Sequence, residues 1–138
     1  IGKFVSFLYR YNQMYLDKEL RPYHIGPGQF YLLMPLFQKD GVNQESLGQS
    51  INLDRANVTR AVQKLVKEGY VYRQRDDEDK RSHRIFLTKK GRAIEPGLKK
   101  IASEWENILL SGFDSDHRQT IVNSFEAMIK NVSRIMEK

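Results

Sequence analysis

Cysteine is absent from the 138 residues. Disulfide stapling, thiol redox sensing and thiolate metal sites are therefore excluded. Long apolar runs are missing too. No stretch approaches the ~20 residues that a membrane helix requires, so no membrane partner is expected. No signal-peptide pattern is visible, and a cytoplasmic location is expected. Histidine is scarce: His24, His83 and His117 are scattered over different segments. None is paired with a carboxylate or a second histidine at a metal-binding spacing, and no glycine loop suited to cradling phosphate is present. A catalytic site needs a recognisable constellation of groups. An enzyme is therefore not expected, and no cofactor or metal is implied.

What the chain does have is basic charge in one place. The net charge is +6. Residues 41–100 hold 14 Lys/Arg against 8 Asp/Glu, while the other 78 residues hold 9 of each. All the excess thus lies in one module. A solvated charged face is the bland explanation. A polyanion partner is the alternative, and basic residues clustered on one module favour it.

The helical pattern begins at residues 3–20, where Phe4, Leu8, Tyr11 and Tyr15 form one stripe. Its large rings exceed what a small domain needs, which suggests burial against a second chain or around a ligand. Arg21-Pro22 is expected to end this helix, because the residue before proline is pushed out of the helical region. Pro27 suits the first turn of the next helix, which carries Phe30, Leu33, Leu36 and Phe37. Pro35 lies inside it and is expected to kink or shorten it.

Two short helices follow. Asn43 is a good N-cap for the first, with Leu47 and Ile51 on one face and Gly48 between them, small enough to admit another helix. Asp54 caps the second, whose apolar positions are Val58, Ala61, Val62, Leu65 and Val66. Two short helices joined by a tight turn make a helix-turn-helix. The outward face of the second carries Arg55, Asn57, Arg60, Gln63, Lys64 and Lys67. Arginine and asparagine can hydrogen-bond guanine and adenine edges in pairs, and the N-terminal half of such a helix is the part that enters the major groove. A polar outside on an amphipathic helix is the ordinary alternative.

Tyr70 to Gln74 and Ser82 to Leu87 read as strands, with RDDEDKR between them. Asp76 and Asp79 are expected to hold arginine side chains and the turn backbone, leaving Lys80 and Arg81 to project. Arginine is suited to the narrow, electronegative minor groove. Thr88 caps a long helix with Ile94, Leu98, Ile101, Trp105 and Ile108 on one stripe, bent near Pro96. Ile121, Phe125, Met128, Val132 and Ile135 make the stripe of a last helix, and both stripes approach the 3.5-residue period of intertwined helices. No domain boundary, repeat or low-complexity segment is marked.

Residues 43–91 resemble the MarR family of bacterial and archaeal transcription regulators. The resemblance is carried by Leu53-Asp54, by Val58-Thr59-Arg60-Ala61-Val62 and by Leu65, Gly69 and Arg73. The wing segment Asp76-Asp77-Glu78-Asp79-Lys80-Arg81, closed by Leu87-Thr88-Lys89-Lys90-Gly91, is its most specific part. It implies a mainly α (α+β) winged helix-turn-helix of six helices with a two- or three-stranded wing. Residues 26–96 would form the DNA-binding module, and 1–25 with 97–138 a helical dimerisation base. It implies a homodimer on a pseudo-palindromic operator in double-stranded DNA, by default a repressor. Arg55, Asn57 and Arg60 are carried over as base contacts, Thr59 as a phosphate contact and Arg81 as the minor-groove arginine, with Lys64 and Lys80 beside them. Asp54, Asp76 and Asp79 are orienting partners, and Gln44 and Ser46 open a helix whose N–H groups would meet phosphate. Family members often release DNA when a small phenolic or anionic effector binds. Tyr11, Tyr15, Tyr31 and Arg84 are candidate contacts for one, against the simpler assignment of the tyrosines to core or dimer interface. A winged-helix protein-interaction module that no longer binds DNA is the competing function.

Overall fold

The computed structural model describes residues 1–136. The chain separates into two compact units, divided after Ala102, inside a helix where the sequence marks no boundary.

The first unit begins with α1 (Gly2–Leu20), which buries Leu16 and Leu20 near its end. Most of its predicted stripe faces outward: Phe4, Leu8 and Tyr11 are exposed, while Tyr15 is partly buried against the core. The helix ends at Leu20, directly before Arg21-Pro22 as expected, but not by Arg21 leaving the helical region. Arg21 keeps right-handed helical dihedrals, and the chain tightens into a 3-10 turn over Arg21–Tyr23. The reversal comes at His24, whose φ is +60°. Helix α2 (Pro27–Gln38) follows, with Gln29 accepting a hydrogen bond from Gly26 N–H at 2.8 Å to close its first turn. Pro35 does not stop it. It lies within the last turn, so it removes one i→i−4 bond near an end that was about to finish, and Lys39 N–H still reaches Pro35 O at 3.0 Å.

A two-residue strand β1 (Val42–Asn43) leads into α3 (Gln44–Ser50), and α4 (Arg55–Lys67) follows. Asn43 caps α3 by accepting from Glu45 and Ser46 N–H, and Asp54 caps α4 by accepting from Asn57 N–H at 2.8 Å. The turn between the helices puts Asn52 at φ +55°, a conformation asparagine tolerates better than most residues. Gly48 performs the close approach expected of it: it is buried, and a Cβ there would overlap Val58 Cγ2. Leu65 on α4 is fully buried among these elements. Leu65→Ala is expected to destabilise the protein by roughly 2–5 kcal/mol, measured by denaturant unfolding, through reduced burial plus the cavity left behind.

Strands β2 (Val71–Arg75) and β3 (His83–Leu87) complete an antiparallel sheet of order β1-β3-β2, pairing Tyr72 with Phe86 and Arg75 with His83. The wing therefore has three strands. Thr88 caps α5 (Lys89–Ala93) by accepting from Gly91 N–H at 3.0 Å. Ile94 then separates α5 from α6 (Glu95–Leu109), so the expected single bent helix is two. This makes seven α-helices among the described residues instead of six. Pro96 at the second position of α6 explains the break, since proline is tolerated in a first turn and disfavoured inside a helix. Leu98 and Ile101 add the last buried side chains of the core.

The second unit holds the end of α6, a turn with Gly112 at φ +87°, and α7 (Ser115–Met136). Asp114 caps α7 by accepting from His117 N–H at 2.8 Å. The predicted stripe exists as an exposed one. No residue of α7 is buried, and Phe125, Met128, Val132 and Ile135 all face out.

Candidate nucleic-acid interface

The first turn of α4 is organised by hydrogen bonds along one ridge. Asp54 accepts from both the backbone and the side chain of Asn57, and Asn57 Oδ1 accepts from Arg60. Residues three apart lie on neighbouring turns of one helix face, so this ladder points Asn57 and Arg60 out together. Its anchor is charged: the Asn57 backbone N–H, then its side chain, hold the Asp54 carboxyl below the usual carboxylate range. Asp54 thus orients α4. Both of its carboxylate oxygens accept from Asn57 of its own helix. Arg55 meets Glu45 of α3 at 3.4 Å, both well exposed. Lys64 lies 4.0 Å from Glu68 on the same helix.

Two further positions differ from expectation. Thr59 Oγ1 donates to Arg55 O at 2.9 Å and, with its single proton so used, accepts from Gln44 Nε2 at 3.4 Å. Its hydroxyl is occupied by helix and neighbour before any phosphate arrives. Gln44 is therefore a half-buried strut between α3 and α4, with its Oε1 buried and unpartnered. Ser46 N–H is already taken by Asn43 Oδ1 at 3.2 Å, as is Glu45 N–H. The Glu45 and Ser46 N–H groups at this end are thus already capped, while the Ser46 side chain stays exposed.

The wing separates root from tip. At the root Asp76 is 6% exposed. It accepts from Glu78 N–H at 3.0 Å and pairs with Arg84 Nε at 3.3 Å, and Arg84 also donates to Gly41 O. This assigns Arg84 to the wing root. Much of its guanidinium fork is already engaged there. Asp76 likewise holds Arg84 rather than an arginine of the tip. At the tip Asp79 accepts from Arg81 N–H at 3.1 Å and its carbonyl accepts from Ser82 N–H and hydroxyl. The Arg81 side chain is left 98% exposed, 4.0 Å from the Asp79 carboxylate. Lys80 is exposed beside it.

The Glu78 N–H, and after it the charge of Arg84, hold the Asp76 carboxyl below the usual carboxylate range. The ordered wing therefore gains stability that is fully present above pH ~4 and is lost as pH falls through the lowered value. The Glu78 amide resonance is expected to move and broaden in acid as the root opens. Asp76→Asn should broaden it already at neutral pH and remove the acid transition.

Between α3, α4 and the wing tip lies an open cleft of about 580 Å³, lined by Gln44, Arg55, Thr59, Arg81 and His83 among others. By local pattern His83 is an ordinary strand residue, and nothing nearby in the sequence marks it as a wall of this cleft. Tyr31 accepts from Asn12 at 2.7 Å and stays exposed, as does Tyr11, whereas Tyr15 is packed against the core. No helix among the described residues is long and apolar enough to cross a membrane.

Comparison with known proteins places this geometry. The family profile described as MarR family matches residues 25–83, which run from α2 to the start of β3. The HTH-type transcriptional regulator SarZ of Staphylococcus haemolyticus is 36% identical over 104 residues, covering 74% of this chain and 68% of that protein. A MarR transcriptional regulator from Methanosarcina mazei Go1 superimposes with a TM-score of 0.88 at 54% identity, covering 97% of this chain and 96% of the other. Reduced AbfR, solved bound to DNA, has the same fold, with a TM-score of 0.76 at 22% identity over 93% of this chain and 88% of the other. The first two are named transcriptional regulators. The chain belongs to the MarR family and is a winged-helix transcription regulator.

Proposed function

We propose that the protein is a cytoplasmic, sequence-specific DNA-binding repressor that acts as a homodimer on a pseudo-palindromic operator. The observation that carries this reading is Arg81, a nearly fully exposed arginine at the tip of a wing whose root is fixed by a buried carboxylate. An exposed cation on a fixed support suits a groove contact. The ladder Asp54–Asn57–Arg60 presents two side chains suited to base edges on α4, and Arg55, Lys64 and Lys80 add positive charge. AbfR, which shares the fold, was solved on DNA. A fluorescence anisotropy titration tests the reading: affinity should fall steeply as salt rises, through release of counterions from the phosphates. Salt-independent affinity would count against it and would favour a protein-interaction module.

Homodimer formation is supported by apolar side chains that the single chain leaves in water. They include Phe4 and Leu8 on α1 and Phe125, Ile129 and Ile135 on α7. Apolar faces of this size mark contact surfaces. Sedimentation at micromolar concentration should find dimers. Phe125→Glu combined with Ile129→Glu should give monomers that no longer bind the operator at concentrations saturating for the parent. A monomeric parent that binds a full operator would sink the dimer. Release by a small phenolic or anionic effector completes the proposal, with Tyr11, Tyr15 and Tyr31 as contacts. A thermal-shift screen with small aromatic acids would find stabilising compounds if it holds.

A further inference from the structure

Two wing arginines have no role in the contacts above. Arg73 and Arg75 stand two apart on β2, opposite Ile85 and His83 of β3. Alternate residues of a strand share a face, as do residues directly opposite in an antiparallel pair. Val71, Arg73 and Arg75 therefore lie on the same side of the sheet as Leu87, Ile85 and His83. Val71, Ile85 and Leu87 are buried in the core, and His83 lines the cleft shared with Gln44, Arg55 and Thr59. The side bearing both arginines is thus the side turned toward α3 and α4.

Both are nevertheless exposed, on an outer strand of the sheet. The other arginines of residues 41–100 have protein partners. Arg55 has Glu45, Arg60 has Asn57, Arg81 has Asp79, Arg84 has Asp76, and Arg92 has Glu95 and Asp40. Among the described residues neither the Arg73 nor the Arg75 side chain has a hydrogen bond or ion pair, although Asp76, Asp77, Glu78 and Asp79 follow directly in sequence. Two residues of extended strand span roughly 6.7 Å, the scale on which successive phosphates repeat along a nucleic-acid strand. Arginine offers phosphate a planar fork of donors.

We propose that Arg73 and Arg75 grip neighbouring phosphates of the DNA backbone, flanking the groove that Arg81 enters. The assignment rests on the DNA-binding reading above. Phosphate contacts carry no sequence information. The pair therefore fixes the position of the wing and adds affinity without choosing the operator.

The test compares the parent, Arg73→Gln/Arg75→Gln, Arg73→Lys/Arg75→Lys and Arg81→Ala, each titrated across a salt series. Each is measured on a duplex that the protein selects from random DNA and on a scrambled duplex of equal length. The Gln pair should weaken both duplexes by a similar factor, roughly 10- to 100-fold at low salt. Its log–log salt slope should be shallower by about 0.9 for each phosphate left unneutralised. The Lys pair should keep the slope, and melting temperatures should stay level, since both side chains are in solvent. An unchanged slope in the Gln pair, while Arg81→Ala still weakens binding, overturns the clamp and leaves the DNA reading standing. So does weakening confined to the selected duplex, which would make the pair base readers. Self-association of the Gln pair with unaltered DNA binding also overturns it, by assigning the arginines to protection of an outer strand. A parent without salt-dependent DNA binding overturns both readings together.

Discussion

Gly91→Ala is expected to destabilise the fold severely. Gly91 is buried at the first turn of α5, where its N–H reaches the capping hydroxyl of Thr88. A Cβ there would overlap the carbonyl of Tyr70 and stand 3.3 Å from Leu87 Cδ2. The first obstacle is backbone and cannot rotate away. Tyr70 is itself fixed from three sides. Its carbonyl accepts from Thr88 N–H at 3.0 Å, its N–H donates to Leu65 O at 3.0 Å, and its hydroxyl donates to Tyr23 O at 2.7 Å. Relief therefore means parting α5 from the root of the wing. Overpacking a filled site typically costs about 1–3 kcal/mol and more where backbone must move, against a total stability of roughly 5–15 kcal/mol for a domain. The upper end is expected here, read as a fall in denaturant midpoint with little change in slope. Gly69→Ala offers a milder comparison. It meets no atom closer than 3.7 Å, and its cost comes from φ +80° alone. A Gly91→Ala midpoint equal to that of Gly69→Ala would refute the close approach as the cause.

Removing Arg60 and Arg81 together is expected to abolish operator recognition while leaving the fold intact. Arg60 stands at the end of the Asp54–Asn57 ladder on α4, and Arg81 at the tip of the wing. One good contact of this kind contributes ~1–3 kcal/mol. Distant sites without shared partners act nearly additively. The double alanine variant should thus lose roughly 2–6 kcal/mol per half-site, or about 30-fold to more than 10⁴-fold in affinity. The two effects should differ in kind. Arg60→Ala should relax preference at one base pair, because major-groove patterns are distinct for each pair. Arg81→Ala should change preference in the flanking tract chiefly through groove width. Both side chains are exposed and bury no apolar surface, so the melting temperature should hold. Undiminished operator affinity in the double variant would remove both residues from the interface.

The fold is largely legible in the sequence because its signals are local. Asn43, Asp54 and Thr88 are caps that act on the first turns beside them, and Gly48 is a small residue at a helix crossing. Each stands where its residue type and spacing place it. The departures share a different cause. Arg21 keeps helical dihedrals before Pro22 because the chain can tighten to 3-10 rather than leave the helix. Pro35 disturbs α2 less than its residue type suggests, since the hydrogen bond it removes falls in a final turn. The break at Ile94 comes from Pro96 acting as a starter of α6. At the site, Arg55, Asn57, Arg60, Lys80 and Arg81 are exposed on the elements predicted for them. Asp54 caps the helix predicted for it, while Thr59, Ser46 and Arg84 lie on the predicted elements with partners inside the protein that were not expected. Partner choice among exposed polar groups depends on which neighbour lies within hydrogen-bond reach, and residue type and spacing do not encode that. The pairing of Arg84 with Asp76 and Gly41 joins separate segments of the chain and is invisible to local pattern.

At the centre stands the proposal that two copies of this winged module read one piece of DNA together. Selection of bound duplexes from random-sequence DNA by the full chain, followed by sequencing, tests it most directly. The expected result is an enriched pseudo-palindrome with half-site centres about one helical turn, ~10 bp, apart, flanked by A·T-rich minor groove where Arg81 enters. Enrichment of a single undivided half-site, or no enrichment above the starting pool, would contradict it.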